Sequence, residues 1–238
     1  MFDFSNKIVI ITGAAGNLGK TTTMLFHQAG ARVAVVDKER EVMRVVFGDT
    51  IAEDQYCFFT TANLLDERAV NEMVERIVNH YGRIDVLVNI AGGFKMGSPV
   101  HETTLDTWES MLNLNARSVF FVCRAVIPHL LQQGSGKIVS VAARAALKGK
   151  AKMASYVVSK DAVIRLTESM SAELRDYNIN VNCVLPGTID TKRNREEMPN
   201  ADFNKWIKPS ALADVILFLA SDYARAIHGA AIPVYGKS

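Results

Sequence analysis

The chain reads as an α/β fold, a doubly wound and mainly parallel sheet with helices on both faces, and three observations predict it. Short β-branched apolar runs alternate with amphipathic stretches of helical length along the whole sequence. The first run, Lys7 to Ile11, is apolar at every position after the lysine, as a strand buried on both faces must be. It opens directly into a turn rich in small residues, Thr12-Gly13-Ala14-Ala15-Gly16-Asn17-Leu18-Gly19, ahead of a helix from about Lys20 to Ala29.

Composition bounds the function before any motif does. The 238 residues suffice for one large core, and the whole of 1–238 is expected to form a single nucleotide-binding and catalytic domain. Hydrophobic residues at 49% and charged residues at 22% fit a soluble globular protein. A net charge of +2 offers no field for nucleic acid or a membrane surface, so neither is expected as a partner. The longest apolar runs, such as Val119 to Cys123 and Ala211 to Ala220, fall short of a membrane span. No signal-peptide pattern precedes Lys7. Cys57, Cys123 and Cys183 lie about sixty residues apart, and His80, His101, His129 and His228 lack ligand spacing. No metal site is expected, and a reducing cytoplasm is the expected location.

The elements carry chemistry in order. Small residues between the first strand and helix let backbone approach a pyrophosphate, and the helix N-terminus offers it unpaired amides. The second strand, Arg32 to Val36, stops at Asp37, twenty-four residues after Gly13. A carboxylate there can accept from both ribose hydroxyls and repels a 2′-phosphate, which favours NAD(H). Lys38 and Arg40 keep NADP(H) possible. A third strand near Tyr56 to Thr60 precedes an amphipathic helix from Asp66 to Tyr81, with Val70, Met73, Val74, Ile77, Val78 and Tyr81 on one stripe. A fourth strand, Ile84 to Val88, opens on Asn89-Ile90-Ala91-Gly92-Gly93.

Further along, Ser155-Tyr156-Val157-Val158-Ser159-Lys160 places a phenol and an ammonium four residues apart, on one helix face. A phenol ordinarily ionises near pH ~10. A neighbouring cation lowers that value and makes the hydroxyl an acid or base for an oxygen being reduced or oxidised.

From Thr12 to Gly19 onward the sequence resembles the short-chain dehydrogenase/reductase family, and the resemblance covers nearly the whole chain. Thr12, Gly13 and Gly19 stand in the family's register, while Asn17 takes the place of its middle glycine and Gly16 sits one position early. Asn tolerates a left-handed backbone, so the turn is expected to survive. The resemblance implies a Rossmann-type sheet of seven strands in the order 3-2-1-4-5-6-7. It places Asn63 and Leu64 against the adenine, Asn89, Ala91 and Gly92 near the nicotinamide ribose, and Lys160 on that ribose. It makes Tyr156 the acid/base, and Asn115, within a long helix from about Leu105 to Leu131 that contains Trp108, part of a proton relay.

One departure matters more than the rest. The family's catalytic serine lies thirteen residues before the tyrosine, where this chain has Ala143 followed by Arg144. Ser140, on a fifth strand from Lys137 to Ala142, lies three residues too early to substitute. Removing one such donor costs about 10²–10³ in rate. Local resemblance to the dihydropteridine reductases, relatives without this serine, is carried by Val88 to Gly93, Ala142 to Gly149 and Leu185 to Phe203. Three readings follow: an electron-poor quinonoid substrate, a carbonyl or alcohol substrate with another donor, or a catalytically silent NAD(H)-binding sensor or structural subunit. An intact Tyr156, Lys160 and Asn115 weigh against the last.

The sixth strand, Asn180 to Val184, leads to Pro186-Gly187-Thr188-Ile189-Asp190-Thr191, which matches the family's Pro-Gly-x-x-x-Thr. There Pro186 would back the nicotinamide, and Thr191 and the Ile189 amide would hold its carboxamide. Residues 192–208 form the expected substrate loop, polar and mobile, with Met198 and Trp206 joining Ala143 and Arg144 as candidate substrate-lining residues. Lys192, Arg193, Arg195 and Arg144 favour an anionic or polar substrate. The helix from Tyr156 to about Asp176 is apolar around much of its circumference, and with the Trp108 helix this suggests a homodimer or homotetramer. A last helix, Ala211 to Ala220, and a last strand, Ala230 to Val234, close the chain.

Overall fold

The computed structural model describes residues 2–48, 51 and 55–237. Its seven strands are β1 (Ile8–Thr12), β2 (Arg32–Asp37), β3 (Cys57–Thr61), β4 (Val86–Asn89), β5 (Gly136–Val141), β6 (Ile179–Pro186) and β7 (Ala231–Val234). They form one sheet in the order β3-β2-β1-β4-β5-β6-β7. Every pair is parallel, as runs of Val and Ile without polar alternation require.

The two-residue period of the strands divides the core in two. Val9, Ile11, Val33, Val35, Val88 and Val139 face one layer. That layer holds α1 (Asn17–Gln28), α2 (Arg40–Phe47) and α8 (Pro209–Ala220), through Phe26, Met43, Phe47, Leu212 and Ile216. Ile10, Ala34, Val36, Leu87 and Ile138 face the other layer. It holds α3 (Glu67–Tyr81), α5 (Ser118–Gln133) and α6 (Ala154–Leu174), through Met73, Ile77, Val122, Val126, Val163 and Ile164. Two shorter helices, α4 (Leu105–Leu112) and α7 (Lys192–Glu197), belong to the loops above the sheet's carboxyl edge or lead into its helices.

Three sequence expectations are revised, and one helix is added to them. The long helix of the middle region is not continuous: α4 and α5 are joined by a π-helical turn, Asn113–Arg117. Its centre is the buried Asn115, which bonds to neighbouring loops and takes the backbone out of α-helical register. Together 105–133 are long and apolar enough to cross a bilayer by length and composition, with 39% of the most apolar window buried, which short uninterrupted runs did not reveal. The expected substrate loop is partly ordered, into α7 and a 3₁₀ turn at Phe203–Lys205, because Thr191 caps α7 by accepting from the Asn194 amide. Helix α2 has no counterpart in the sequence reading. Only Met43 and Phe47 of it are buried, too few to set a visible period.

Candidate active site

The carboxyl edge of the sheet splits between the neighbouring strands β1 and β4, since β1 runs on to α1 on one face and the crossover from β3 to β4 carries α3 on the other. Ligands of open parallel sheets bind at such a switch point. Here the Thr12 hydroxyl accepts from the Ile90 and Ala91 amides, at 3.2 and 3.4 Å, and ties the two diverging turns together. Gly13 has φ +66°, and a Cβ on it would lie 2.7 Å from the Ala91 backbone, so no other residue fits. Gly19 packs as closely on Ala14, 2.7 Å from where its Cβ would stand. The turn therefore brings bare backbone amides to the start of α1.

Asn17 does not take the left-handed conformation expected of it. It is the first residue of α1, after Gly16 at φ −71° and ψ 166°, and Gly13 alone supplies the turn's positive φ. The helix accepts Asn where the family has glycine because the side chain points into open, exposed space. Asp37, at the end of β2, closes the motif: its carboxylate accepts from the Ala15 amide at 2.9 Å and from the Lys38 amide at 2.7 Å.

Above β4 and β5, a side-chain network fixes the second half of the site. The Asn115 carboxamide accepts from the Gly93 amide at 2.9 Å and donates to the Gly93 carbonyl at 3.0 Å. It also donates to the Ser159 hydroxyl, which in turn donates to the Tyr156 carbonyl at 2.8 Å. The π turn, the loop after β4 and the first turn of α6 are thereby held as one piece. Gly92 must be bare because a Cβ would lie 2.8 Å from the Asn115 Oδ1 and 3.1 Å from the Lys160 Nζ.

Tyr156 and Lys160 share a face of α6 and line the same cavity, but their electrostatics differ from the sequence expectation. Burial pushes the Tyr156 phenol up to about 12 and the Lys160 ammonium down to about 8. Lys160 Nζ donates to the Val141 carbonyl at 2.8 Å, which anchors it at the end of β5. Phe94 packs its ring edge-on to Tyr156, with centroids 4.9 Å apart.

These features open on one cavity of about 1180 Å³. It brings together Gly13, Gly16, Asn17, Leu18, Gly19 and Asp37 with Asn63, Leu64, Ala91, Gly92, Tyr156, Lys160, Pro186, Gly187, Ile189 and Thr191. Ala143, Arg144 and Met198 line it as well. Three expected residues do not. Asn89 is buried in the sheet, donating to Cys123 Sγ and Ser140 Oγ, because a residue on a central strand faces a covering helix layer. That same bond confines Ser140 to the interior. Asn115 lies behind the wall, bonded to Gly93. Trp206 packs tilted against Phe203, centroids 4.8 Å apart, and so covers its own loop. Sequence reasoning missed Phe94, Met96, Lys150 and Met153, all on the cavity wall. No motif marks them, since each stands alone in a loop or at a helix start.

The residues present fit a dinucleotide. Bare backbone at Gly13 and Gly19 faces the start of a helix, a carboxylate stands at the end of β2, and a phenol and an ammonium stand at the other end. The arrangement can hold a pyrophosphate and ribose and deliver a proton at the Tyr156 oxygen.

Known proteins resemble this chain in sequence and fold. The profile of the family described as short chain dehydrogenase matches residues 7–202. A 3-oxoacyl-(acyl-carrier-protein) reductase of Thermotoga maritima is 36% identical, over 97% of this chain and 96% of its own length. A 2,3-dihydro-2,3-dihydroxybenzoate dehydrogenase of Bacillus subtilis is 32% identical, over 92% of this chain and 90% of its own length. The crystal structure of NAD+-bound xylitol dehydrogenase superposes with a TM-score of 0.89 at 27% identity, covering 98% of this chain and 99% of that one.

Proposed function

Because the chain belongs to the short-chain dehydrogenase/reductase family and is an oxidoreductase of it, we propose that it is an NAD(H)-dependent enzyme acting on a carbonyl or alcohol carbon or on an activated, quinonoid substrate. The observation that carries this reading is a single cavity walled at one end by the Gly13–Gly19 turn and Asp37 and at the other by Tyr156 and Lys160. A nicotinamide cofactor held there supplies or accepts the hydride. The glycine turn binds its pyrophosphate, Asp37 its adenosine ribose, and Lys160 its second ribose. Pro186, Ile189 and Thr191 orient the nicotinamide for transfer.

Tyr156 supplies the proton. With the phenol pushed up to about 12 it is protonated at neutral pH and serves as the general acid to a substrate oxygen. Lys160, pushed down to about 8, sits near operating pH and can refill the phenol with a proton. Asn115 and Ser159 hold both in register through Gly93 and the Tyr156 carbonyl. Ala143 leaves the substrate oxygen one donor short, so the substrates turned over best are those already electron-poor, such as vicinal diketones and quinonoids. A silent NAD(H)-binding role leaves the Tyr156–Lys160 face without a purpose and is not favoured.

Phe120 and Leu131 on α5 and Val158 on α6 remain exposed, which supports a homodimer or homotetramer formed through these helices. The 192–208 segment, with Met198 on the cavity wall, is the substrate loop of this reading.

The test is oxidation of NADH and NADPH by the purified protein with quinonoid pterins, quinones, vicinal diketones and simple ketones. The expected result is NADH oxidation with the activated compounds and slow turnover of the simple ketones. Tight NADH binding with no turnover of any compound overturns the reading.

A further inference from the structure

We propose that the substrate carries a carboxylate on an apolar body, and that Arg144 and Lys150 are the residues that recognise it. This deepens the reading of the same cavity and rests on it for the reacting end.

The cations of the substrate loop and of the cavity wall separate cleanly in the structure. Arg193 pairs with Glu197 at 2.8 Å, Arg195 with Asp190 at 2.7 Å, and Lys192 with Glu196 at 3.9 Å, all on the exterior of α7. Lys160 is committed to the Val141 carbonyl. Of the other cavity-wall cations, Lys38 follows Asp37 at the end of β2, in the cofactor half. Arg144 and Lys150 remain: both line the cavity, and among the described residues neither has an acidic partner.

Their setting is ordered. The Arg144 guanidinium lies over the Tyr235 ring, 4.7 Å from its centroid, so one face is covered by an aromatic surface. Stacking of this kind leaves the guanidinium edge free, and that edge matches the two oxygens of a carboxylate. Arg144 also follows Ala143, the wall position nearest the missing donor. Among the described residues the one carboxylate on the cavity wall is Asp37, at the end of β2. Strand order puts it three strands from the end of β5, after which Arg144 follows, so among the described residues no carboxylate lines the substrate end of the cavity.

The body of the ligand is indicated by the remaining wall. Phe94, Met96 and Met198 are 41%, 57% and 40% exposed at the cavity, and Met153 joins them. Large apolar side chains left open together mark a binding surface, and thioethers adapt to a flat ring. A cationic fork beside an apolar, adaptable floor fits a carboxylate on an aromatic or alicyclic frame.

Two probes test this: a phenyl-substituted vicinal diketone and the same diketone bearing a para-carboxylate. Their affinities are measured by calorimetry on the enzyme–NAD+ complex, in which neither is reduced. The charged probe is expected to bind about tenfold tighter or better. Arg144→Met is expected to erase most of that preference and Lys150→Met part of it, with circular dichroism and NAD+ affinity reporting the fold of each variant. Equal binding of the two probes by the parent, absence of binding by both, or a preference that survives both substitutions overturns the proposal. Reduction with NADH is read separately. A preference for the charged probe without any reduction overturns the oxidoreductase role assigned to the cavity and leaves the carboxylate recognition standing.

Discussion

The two halves of the cavity are built by different means. The cofactor half is made of short contiguous segments at strand ends: 13–19 after β1, Asp37 and Lys38 after β2, 62–65 after β3, 90–93 after β4 and 186–191 after β6. Most of its contacts are backbone, and its requirements are for small residues where chain meets chain, as at Gly13 against Ala91. The substrate half is made of side chains from three connections: Phe94 after β4, Arg144, Lys150 and Met153 between β5 and α6, and Met198 after α7. The first half is fixed by the sheet, and the second by whatever each loop happens to present. A family can therefore keep one chemistry and change its substrate without disturbing the fold.

Ala143→Ser separates the halves with the largest expected effect. Ala143 is buried and lines the substrate half, and serine restores a hydroxyl donor with little added volume. The kcat/KM on a simple ketone is expected to rise by about 10²–10³, while NADH affinity stays at the parent value. If the simple ketone gains nothing, the donor is already supplied by another group and the account of Ala143 is wrong.

Asp37→Ser acts on the other half. It removes the carboxylate that accepts from the Ala15 amide and that would face a 2′-phosphate, with the cationic Lys38 left beside it. The ratio of NADH to NADPH affinity is expected to fall by about tenfold, the worth of one charged contact, with substrate preference unmoved. A ratio that stays put means that the ribose lies elsewhere.

The smallest effect belongs to the boundary between the halves. Lys160 is pushed down to about 8 by burial, so above that pH the folded protein holds fewer protons than the unfolded chain. Stability then rises with pH between about 8 and the ordinary lysine value, because the unfolded state binds the extra proton. Lys160→Met is expected to abolish this rise, as urea unfolding at successive pH values will report. A parent protein whose stability falls over that window, once compared with the variant, contradicts the burial of a strained ammonium.

The same contrast explains how much was legible beforehand. The strands and the glycine turn follow from local patterns, since a two-sided buried strand and a bare turn each need particular residues at consecutive positions, whereas the strand order came with the family resemblance. The role of Asn17 was misread because the substitution falls at a helix start, where any exposed polar residue is accepted. The π turn was invisible, because it arises from what Asn115 bonds to across the fold, at Gly93 and Ser159. The acidity of Tyr156 was not legible for a related reason: four-residue spacing puts an ammonium near a phenol, but the burial that pushes the phenol up is a property of the closed fold. Phe94 and Lys150 carry no pattern at all, and only the closed fold brings them to the cavity.

The central claim is that the Tyr156 hydroxyl delivers the proton that accompanies hydride transfer. Single-turnover oxidation of bound NADH by a vicinal diketone, in the parent and in Tyr156→Phe, tests it most directly. The account predicts unchanged NADH binding and a transfer rate lower by about 10²–10⁴ in the phenylalanine variant, the contribution of a positioned acid. A variant that binds NADH and transfers hydride at the parent rate contradicts it.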